Sequence, residues 1–192
     1  MTAAVLLSGS GRTLENLLAK RAAGELDLDL TAVVSSRPDV RGVQVARDHG
    51  LPCGVFRRRD FDSVAAHNQA LNGWLAPYAP RIIVLAGYLC FYIPPPGFDG
   101  VVVNIHPALL PKYGGQGFFG DRVHTAVLAA GDTETGCTVH LVDGQYDHGR
   151  ILDQMKVPVL PGDDVASLAA RVFAAECELY PQVLSRLARD LV

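Results

Sequence analysis

Ala3-Ala4-Val5-Leu6-Leu7-Ser8-Gly9-Ser10-Gly11 is the stretch on which the architecture turns. Five consecutive apolar residues read as a strand buried on both faces, since neighbouring strand side chains point to opposite sides. The Ser/Gly run behind them is a tight turn. Leu14, Leu17 and Leu18 then recur at helical spacing. Strand, glycine turn and helix form the opening half of a βαβ unit, and the same rhythm repeats downstream. Thr31-Ala32-Val33-Val34 is a second buried strand ended by Ser35-Ser36-Arg37-Pro38, and a helix through Val43, Val45 and Ala46 stops at Gly50. Cys53-Gly54-Val55-Phe56 reads as a short third strand. Asp62-Ser63 caps a helix carrying Val64, Ala65, Leu71 and Trp74, which ends before Pro77. Arg81 to Ala86 is again apolar throughout. Parallel strands with right-handed crossovers follow for at least the first 90 residues or so.

Beyond Pro94-Pro95-Pro96-Gly97 the rhythm changes. Gly100 to Ile105 is another apolar strand, Gly114-Gly115 opens a glycine-rich loop, and residues 121–130 read as a helix. Residues 137–142 and 151–159 are expected to be two strands joined by a tight turn, and a last helix starts near Asp163-Asp164. No repeat, low-complexity tract or linker interrupts the 192 residues, so a single domain spanning 1–192 is expected. The composition, 49% hydrophobic and 19% charged, is globular rather than disordered. A net charge of −3 gives no electrostatic footprint for nucleic acid. No apolar run approaches the roughly 18 residues of a membrane span, and the N-terminus lacks a signal-peptide pattern. Cys53, Cys90, Cys137 and Cys177 form no CxxC pair, which disfavours a disulfide framework or zinc ribbon and fits a cytoplasmic setting.

Four places carry groups that could do chemistry. At Gly9-Ser10-Gly11 exposed backbone N–H groups at a helix N-terminus can meet an anion, with Arg12 and Thr13 beside them as donors suited to a phosphate monoester. No Gly-Lys-Ser/Thr follows, and Leu14 occupies the third glycine position of a dinucleotide fingerprint. A plain βα turn remains open there, as does an NADP site using Arg37. In Asn104-Ile105-His106-Pro107 the two polar side chains share one strand face at a strand exit, where open α/β sheets bind ligands. In Asp143-Gly144-Gln145-Tyr146-Asp147-His148-Gly149 a carboxylate could pair with His106, favouring the imidazolium and fixing its orientation. A solvated hairpin turn is the plain alternative. A metal held by His106, His140, Asp143, Asp147 and His148 is another, although no ligand spacing supports one. Glu176 lies on the last helix, and Glu178 beside it reads as a solvated face.

Taken together, these motifs resemble the folate-dependent formyltransferases, and among them the glycinamide ribonucleotide formyltransferases of purine biosynthesis. The resemblance is carried by Leu7 to Gly11, Val84-Leu85-Ala86-Gly87-Tyr88, Asn104 to Tyr113, Gly136 to His140, Asp147-His148-Gly149, and Glu176 with Tyr180-Pro181. It implies a Rossmann-like α/β fold, a mostly parallel sheet with helices on both faces and an antiparallel C-terminal part. It further implies an enzyme that moves the formyl group of 10-formyltetrahydrofolate, its co-substrate, onto the amine of 5'-phosphoribosylglycinamide, with no metal. Gly11, Arg12, Thr13 and Glu176 would hold the ribonucleotide. Leu89, Cys90, Phe91, Tyr92, Asn104, Asp143, Gly144, Gln145, Tyr146 and Asp147 would hold the folate. Asn104, protonated His106 and Asp147 would be the catalytic trio around a tetrahedral intermediate. The partners implied are these two small molecules, with neither nucleic acid nor membrane; a homodimer stays open.

The chain departs from the family pattern in places. Arg12-Thr13 stands where Ser or Thr is usually followed by Asn, Val64 and Cys90 stand where arginines are frequent, and the run 113–120 is longer than common. Two sister activities share the trio. Formyltetrahydrofolate deformylase would carry an extra N-terminal domain, and methionyl-tRNA formyltransferase a C-terminal RNA-binding one; neither is expected of a chain with these ends. A catalytically silent nucleotide-binding module would need the turn but not the trio.

Overall fold

A computed structural model describes residues 1–191 as two compact units; Val192, the last residue of the expected domain, lies outside the described residues. The first unit comprises Met1–Val103 and the end of the chain from Leu184. Its strands are β1 (Thr2–Leu7), β2 (Asp29–Ser35), β3 (Cys53–Val55), β4 (Ile82–Leu85) and the first half of β5 (Val101–His106), in the order β3-β2-β1-β4-β5. β1 pairs parallel with β2 and β4, and β2 with β3, with Val5 opposite both Val33 and Val84. Ala3 to Leu7 are completely buried, so both faces of the central strand are covered, as an unbroken apolar run requires. The crossovers run through α1 (Arg12–Ala22), α2 (Arg41–Asp48) and α3 (Val64–Leu75). Ser63 starts α3 by accepting the Ala66 N–H at 3.0 Å, as the sequence predicts.

This order puts β1 and β4 side by side while their crossovers leave in opposite directions. Such a switch point opens a crevice at the carboxyl edge, and the two segments there are 8–13 and 86–93. Gly11 has φ 76, and a Cβ there would lie 2.5 Å from Gly42 Cα, so only glycine lets α1 and α2 close in behind the turn. The second segment is tied down by side chains. Leu89 N–H donates to Ser8 Oγ at 2.8 Å, and Ser8 Oγ meets Ser36 Oγ at 2.6 Å. From α3, Asn68 donates to Phe91 O and accepts from Ile93 N–H, while Asn72 donates to Ile93 O and accepts from Tyr92 Oη.

The second unit, Asn104–Val183, holds the end of β5, then α4 (Asp121–Ala129), β6 (Glu134–Leu141), β7 (Ile151–Pro158) and most of α5 (Val165–Asp190). β6 follows β5 in the strand order and pairs antiparallel with β7, Cys137 opposite Met155. Two expectations change here. The strand expected from 137 begins at Glu134, and its connection to β7 is the nine-residue stretch 142–150 rather than a tight turn. Gly149 explains why the stretch can return: a Cβ there would sit 1.8 Å from Leu141 O, so the chain closes only with glycine.

Thr138, on β6 and fully buried, organises the segment after β5. Its hydroxyl donates to Ala108 O at 2.6 Å and accepts from Leu110 N–H at 3.0 Å and Gln154 Nε2 at 2.9 Å. Thr138→Val keeps the shape and deletes all three bonds, which should lower the unfolding free energy by about 2 kcal/mol because buried partners are left unpaired. Urea denaturation checks this; an unchanged midpoint would mean that water or neighbours replace the hydroxyl.

Candidate active site

Asn104 and His106 stand two residues apart at the end of β5, so their side chains emerge on the same side of the strand while Ile105 is buried on the other. Both reach Asp147, from the 142–150 loop. Asn104 Nδ2 is 3.4 Å from Asp147 Oδ1, and His106 Nδ1 is 3.5 Å from Asp147 Oδ2. The structure thus brings together the three residues that the sequence reading grouped. Asp147 has φ 53, a strained value for a side chain of its size, and its Oδ2 accepts Gly115 N–H at 3.0 Å. Gly114 makes this approach feasible, since a Cβ there would lie 3.3 Å from Asp147 Cβ and 2.4 Å from Leu110 Cδ2.

A fourth residue joins them. His140, fully buried on β6, was read from sequence only as one candidate metal ligand. Its Nδ1–H donates to Leu141 O at 2.8 Å, which leaves Nε2 facing Asn104 and Asp147. Asn104 Nδ2 donates to that nitrogen at 3.1 Å, and Asp147 Oδ1 lies 3.5 Å from it. The signal was the strand period: His140 is two residues from Thr138, on the β6 face that meets the end of β5, but only the pairing of β5 with β6 makes the two faces neighbours. Among the described residues no group of three or more His, Cys, Asp or Glu side chains has metal-binding geometry.

The electrostatics bear on one expectation, the charge of His106. His106 is 3% exposed, and burial pulls its pKa below the ordinary value of 6.5. The Asp147 charge and the Tyr113 carbonyl, 2.8 Å from Nε2, push it up without prevailing, and His140 pushes it further down. Burial therefore works against the imidazolium expected from pairing with Asp147. Asp147 feels burial upward, but His140, His106 and Gly115 N–H outweigh it and hold its carboxyl below the usual range.

The other expected residues fall in both units. In the first, Gly11 is buried, Arg12 is exposed and opens α1, and Thr13 follows; Gly11 caps with no side-chain bond. Arg41 pairs with Glu15 and reaches Ser10 O, pinning the turn from α2. Leu89 and Ile93 are 45% and 42% exposed, Cys90 and Phe91 half-buried, and Tyr92 buried. In the second unit Asp143, Gly144, Gln145 and Tyr146 are exposed, and Asp143 organises the loop by accepting Gln145 N–H and pairing with His148 at 2.8 Å. Glu176 is half-buried on α5, close enough to raise the Cys137 thiol and the Tyr180 phenol, whereas Glu178 is exposed as expected. Among the described residues no helix is long and apolar enough to cross a membrane.

Comparison with known proteins gives the same picture. The model of the formyl transferase family matches residues 1–184. The phosphoribosylglycinamide formyltransferase of Haemophilus influenzae is 35% identical over 183 residues, 94% of this chain and 84% of that protein. The chloroplastic phosphoribosylglycinamide formyltransferase of Vigna unguiculata is 37% identical, and the match takes in 98% of this chain but 61% of its own length. Among solved structures, glycinamide ribonucleotide transformylase 1 from Symbiobacterium toebii superposes with a TM-score of 0.90 at 32% identity, covering 99% of this chain and 88% of that one. Phosphoribosylglycinamide formyltransferase from Brucella melitensis gives 0.86 at 38%, covering 97% and 95%.

Two outcomes follow from the charges. His106 and His124 are both buried with pKa values pulled down, first by burial, so below about pH 6.5 the unfolded chain takes up protons that the folded one refuses. Stability is full above that pH and is lost as pH falls through it; a urea midpoint that stays flat or rises between pH 7.5 and 5.5 would contradict this. Asp147→Asn removes the charge that opposes burial, so the His106 titration midpoint read by NMR should fall further.

Proposed function

The chain belongs to the formyl transferase family, and from that premise we propose that it transfers the formyl group of 10-formyltetrahydrofolate to the amine of 5'-phosphoribosylglycinamide, in the cytoplasm, as a step of purine biosynthesis. The observation that carries the proposal is the convergence of Asn104, His106 and Asp147 at the exit of β5. The reading treats residues 1–192 as one formyltransferase domain, with two small molecules as its partners. A homodimer is the assembly to be measured.

The ribonucleotide phosphate is assigned to the backbone donors of Gly11, Arg12 and Thr13, which cap α1 without a side chain in the way. Glu176 is assigned to the ribose hydroxyls. Leu89 to Tyr92 and the loop from Asp143 to Asp147 are assigned to the folate; exposed Leu89 and Tyr146 offer it apolar surface, and Ser8, Asn68 and Asn72 hold the first segment rigid. In the reaction the amine attacks the formyl carbon and a C–N bond forms while negative charge grows on the formyl oxygen. The tetrahedral intermediate then collapses, the donor's C–N bond breaks, and the proton lost by the amine ends on the folate nitrogen that leaves.

Asn104 keeps one N–H on His140; the other, with only the long 3.4 Å contact to Asp147, is the one that turns to this oxygen. Negative charge beside the imidazole raises its proton affinity, so the growing oxyanion favours the protonated His106 that stabilises it. Asp147, ionised when the attack begins, compensates the imidazolium and serves as the nearest base for the amine proton, which it passes on to the leaving nitrogen. Holding the two substrates in register supplies much of the remaining acceleration.

A spectrophotometric assay with formyl-folate, run with and without the ribonucleotide, tests the proposal. Turnover should require both, and folate turnover that ignores the ribonucleotide would overturn it in favour of a deformylase. Asn104→Ala should lower kcat by roughly a hundred- to a thousandfold. Arg12→Ala should raise the KM for the ribonucleotide far more than that for the folate; equal changes would remove Arg12 from the phosphate site.

A further inference from the structure

Tyr113 has φ 56, and with Ala79 and Asp147 it is one of three non-glycine residues at positive φ among the described residues. A bulky side chain occupies the left-handed region only when its surroundings over-determine it. Tyr113 is held at both ends. Its carbonyl accepts His106 Nε2–H at 2.8 Å, and its hydroxyl donates to Asp132 Oδ2 at 2.7 Å. Asp132, in the turn between α4 and β6, also receives Lys112 Nζ at 2.7 and 2.6 Å, and that ammonium lies 5.0 Å over the Tyr113 ring. One carboxylate therefore clamps two consecutive residues, and the second of them carries the acceptor of the buried histidine. The Lys112 side chain is 60% exposed, so the ion pair adds little by itself; what the clamp supplies is geometry.

We propose that Asp132 is a positioning residue for His106, acting through Tyr113: it keeps Tyr113 in the left-handed conformation that aims the Tyr113 carbonyl at Nε2. A carbonyl only accepts, so this contact fixes the ring proton on Nε2 and turns Nδ1 toward Asp147. Released from the clamp, Tyr113 relaxes toward negative φ, its carbonyl rotates away, and the buried Nε2–H loses its acceptor. The ring then has less to hold either its tautomer or its orientation. The groups that face or act on His106 are Asp147 from the loop after β6, His140 from β6, His124 from α4 and the Tyr113 carbonyl. Of these, Asp147 and the carbonyl favour the charged ring while the two histidines oppose it.

The test uses the full-length, 15N-labelled protein without substrate and reads His106 by long-range 1H–15N NMR across pH. In the parent protein Nε2 carries the proton of the neutral ring. In Asp132→Asn the Nε2–H signal should give way to a tautomer mixture, and the titration midpoint should fall by about half a pH unit, because the lost acceptor favoured the charged form. In the formyl-transfer assay the same variant should lose kcat about tenfold, with both KM values changed by less than about twofold. The limb of its pH profile that follows His106 should move to lower pH with the midpoint. Tyr113→Phe removes only the hydroxyl, and should shift the same readouts in the same direction should Asp132→Asn fail to fold. Parent-like His106 spectra and an unmoved pH profile in these variants, whatever happens to the melting temperature, would overturn the proposal and leave Asp132 a purely structural anchor. The kinetic arm rests on the formyl-transfer reading; the NMR arm does not. A parent enzyme that fails to transfer formyl therefore defeats that reading while the spectra still decide this one.

Discussion

A carboxylate largely withdrawn from water must be paired, and in this protein the partners of Asp147 set the geometry of everything around it. Its side chain is 11% exposed and lies among two imidazoles, an amide and the Gly115 N–H. The cost of burying it is met by holding it ionised, and the demand that it be met explains several otherwise unrelated features. Gly114 is small so that the carboxylate can approach, Gly149 is small so that the loop can return to β6, and Asp147 itself accepts a left-handed backbone. The same withdrawal from water that makes Asp147 need partners works against the charge of His106. Burial and His140 oppose its protonation, while the Asp147 charge and the Tyr113 carbonyl favour it. A group that binds its proton more firmly when negative charge appears opposite it stabilises a transition state more than a ground state, the differential on which catalysis rests.

The first unit solves a different problem with the same economy of side chains. At the switch point between β1 and β4 the backbone of 86–93 leaves the sheet and has no ladder partner of its own, so its N–H and C=O groups must be satisfied otherwise. Ser8, Asn68 and Asn72 do so, the two asparagines one helical turn apart on α3 and gripping alternate positions of the segment. The result is an irregular segment held by side chains, with Leu89 and Ile93 left exposed.

Much of this was legible in the residues. The unbroken apolar runs of β1 and β4, the Ser63 cap and the glycine turn at Gly11 carry their structural meaning locally, because each rests on a period or a backbone conformation. So does the shared face of Asn104 and His106. The readings that changed were those that depended on who sits opposite. The 142–150 connection looked like a tight hairpin because Asp-Gly is a turn signal, yet nine residues are needed to carry Asp147 back toward the end of β5. His140 looked like a spare histidine until β6 paired with β5. The charge of His106 was inferred from one neighbour, whereas it is decided by burial together with all of them.

By itself, then, the amino-acid sequence determined the order and type of the elements, the parallel first half, and the shared face of Asn104 and His106, since periodicity, capping and spacing act over a few residues and are written in them. Only the tertiary structure decided the opposing pulls on His106, the recruitment of His140, and the link from Asp132 through Tyr113 to the imidazole. Those depend on desolvation and on hydrogen bonds between residues 7 to 43 positions apart, and neither has any magnitude until the chain has folded and excluded water from between them.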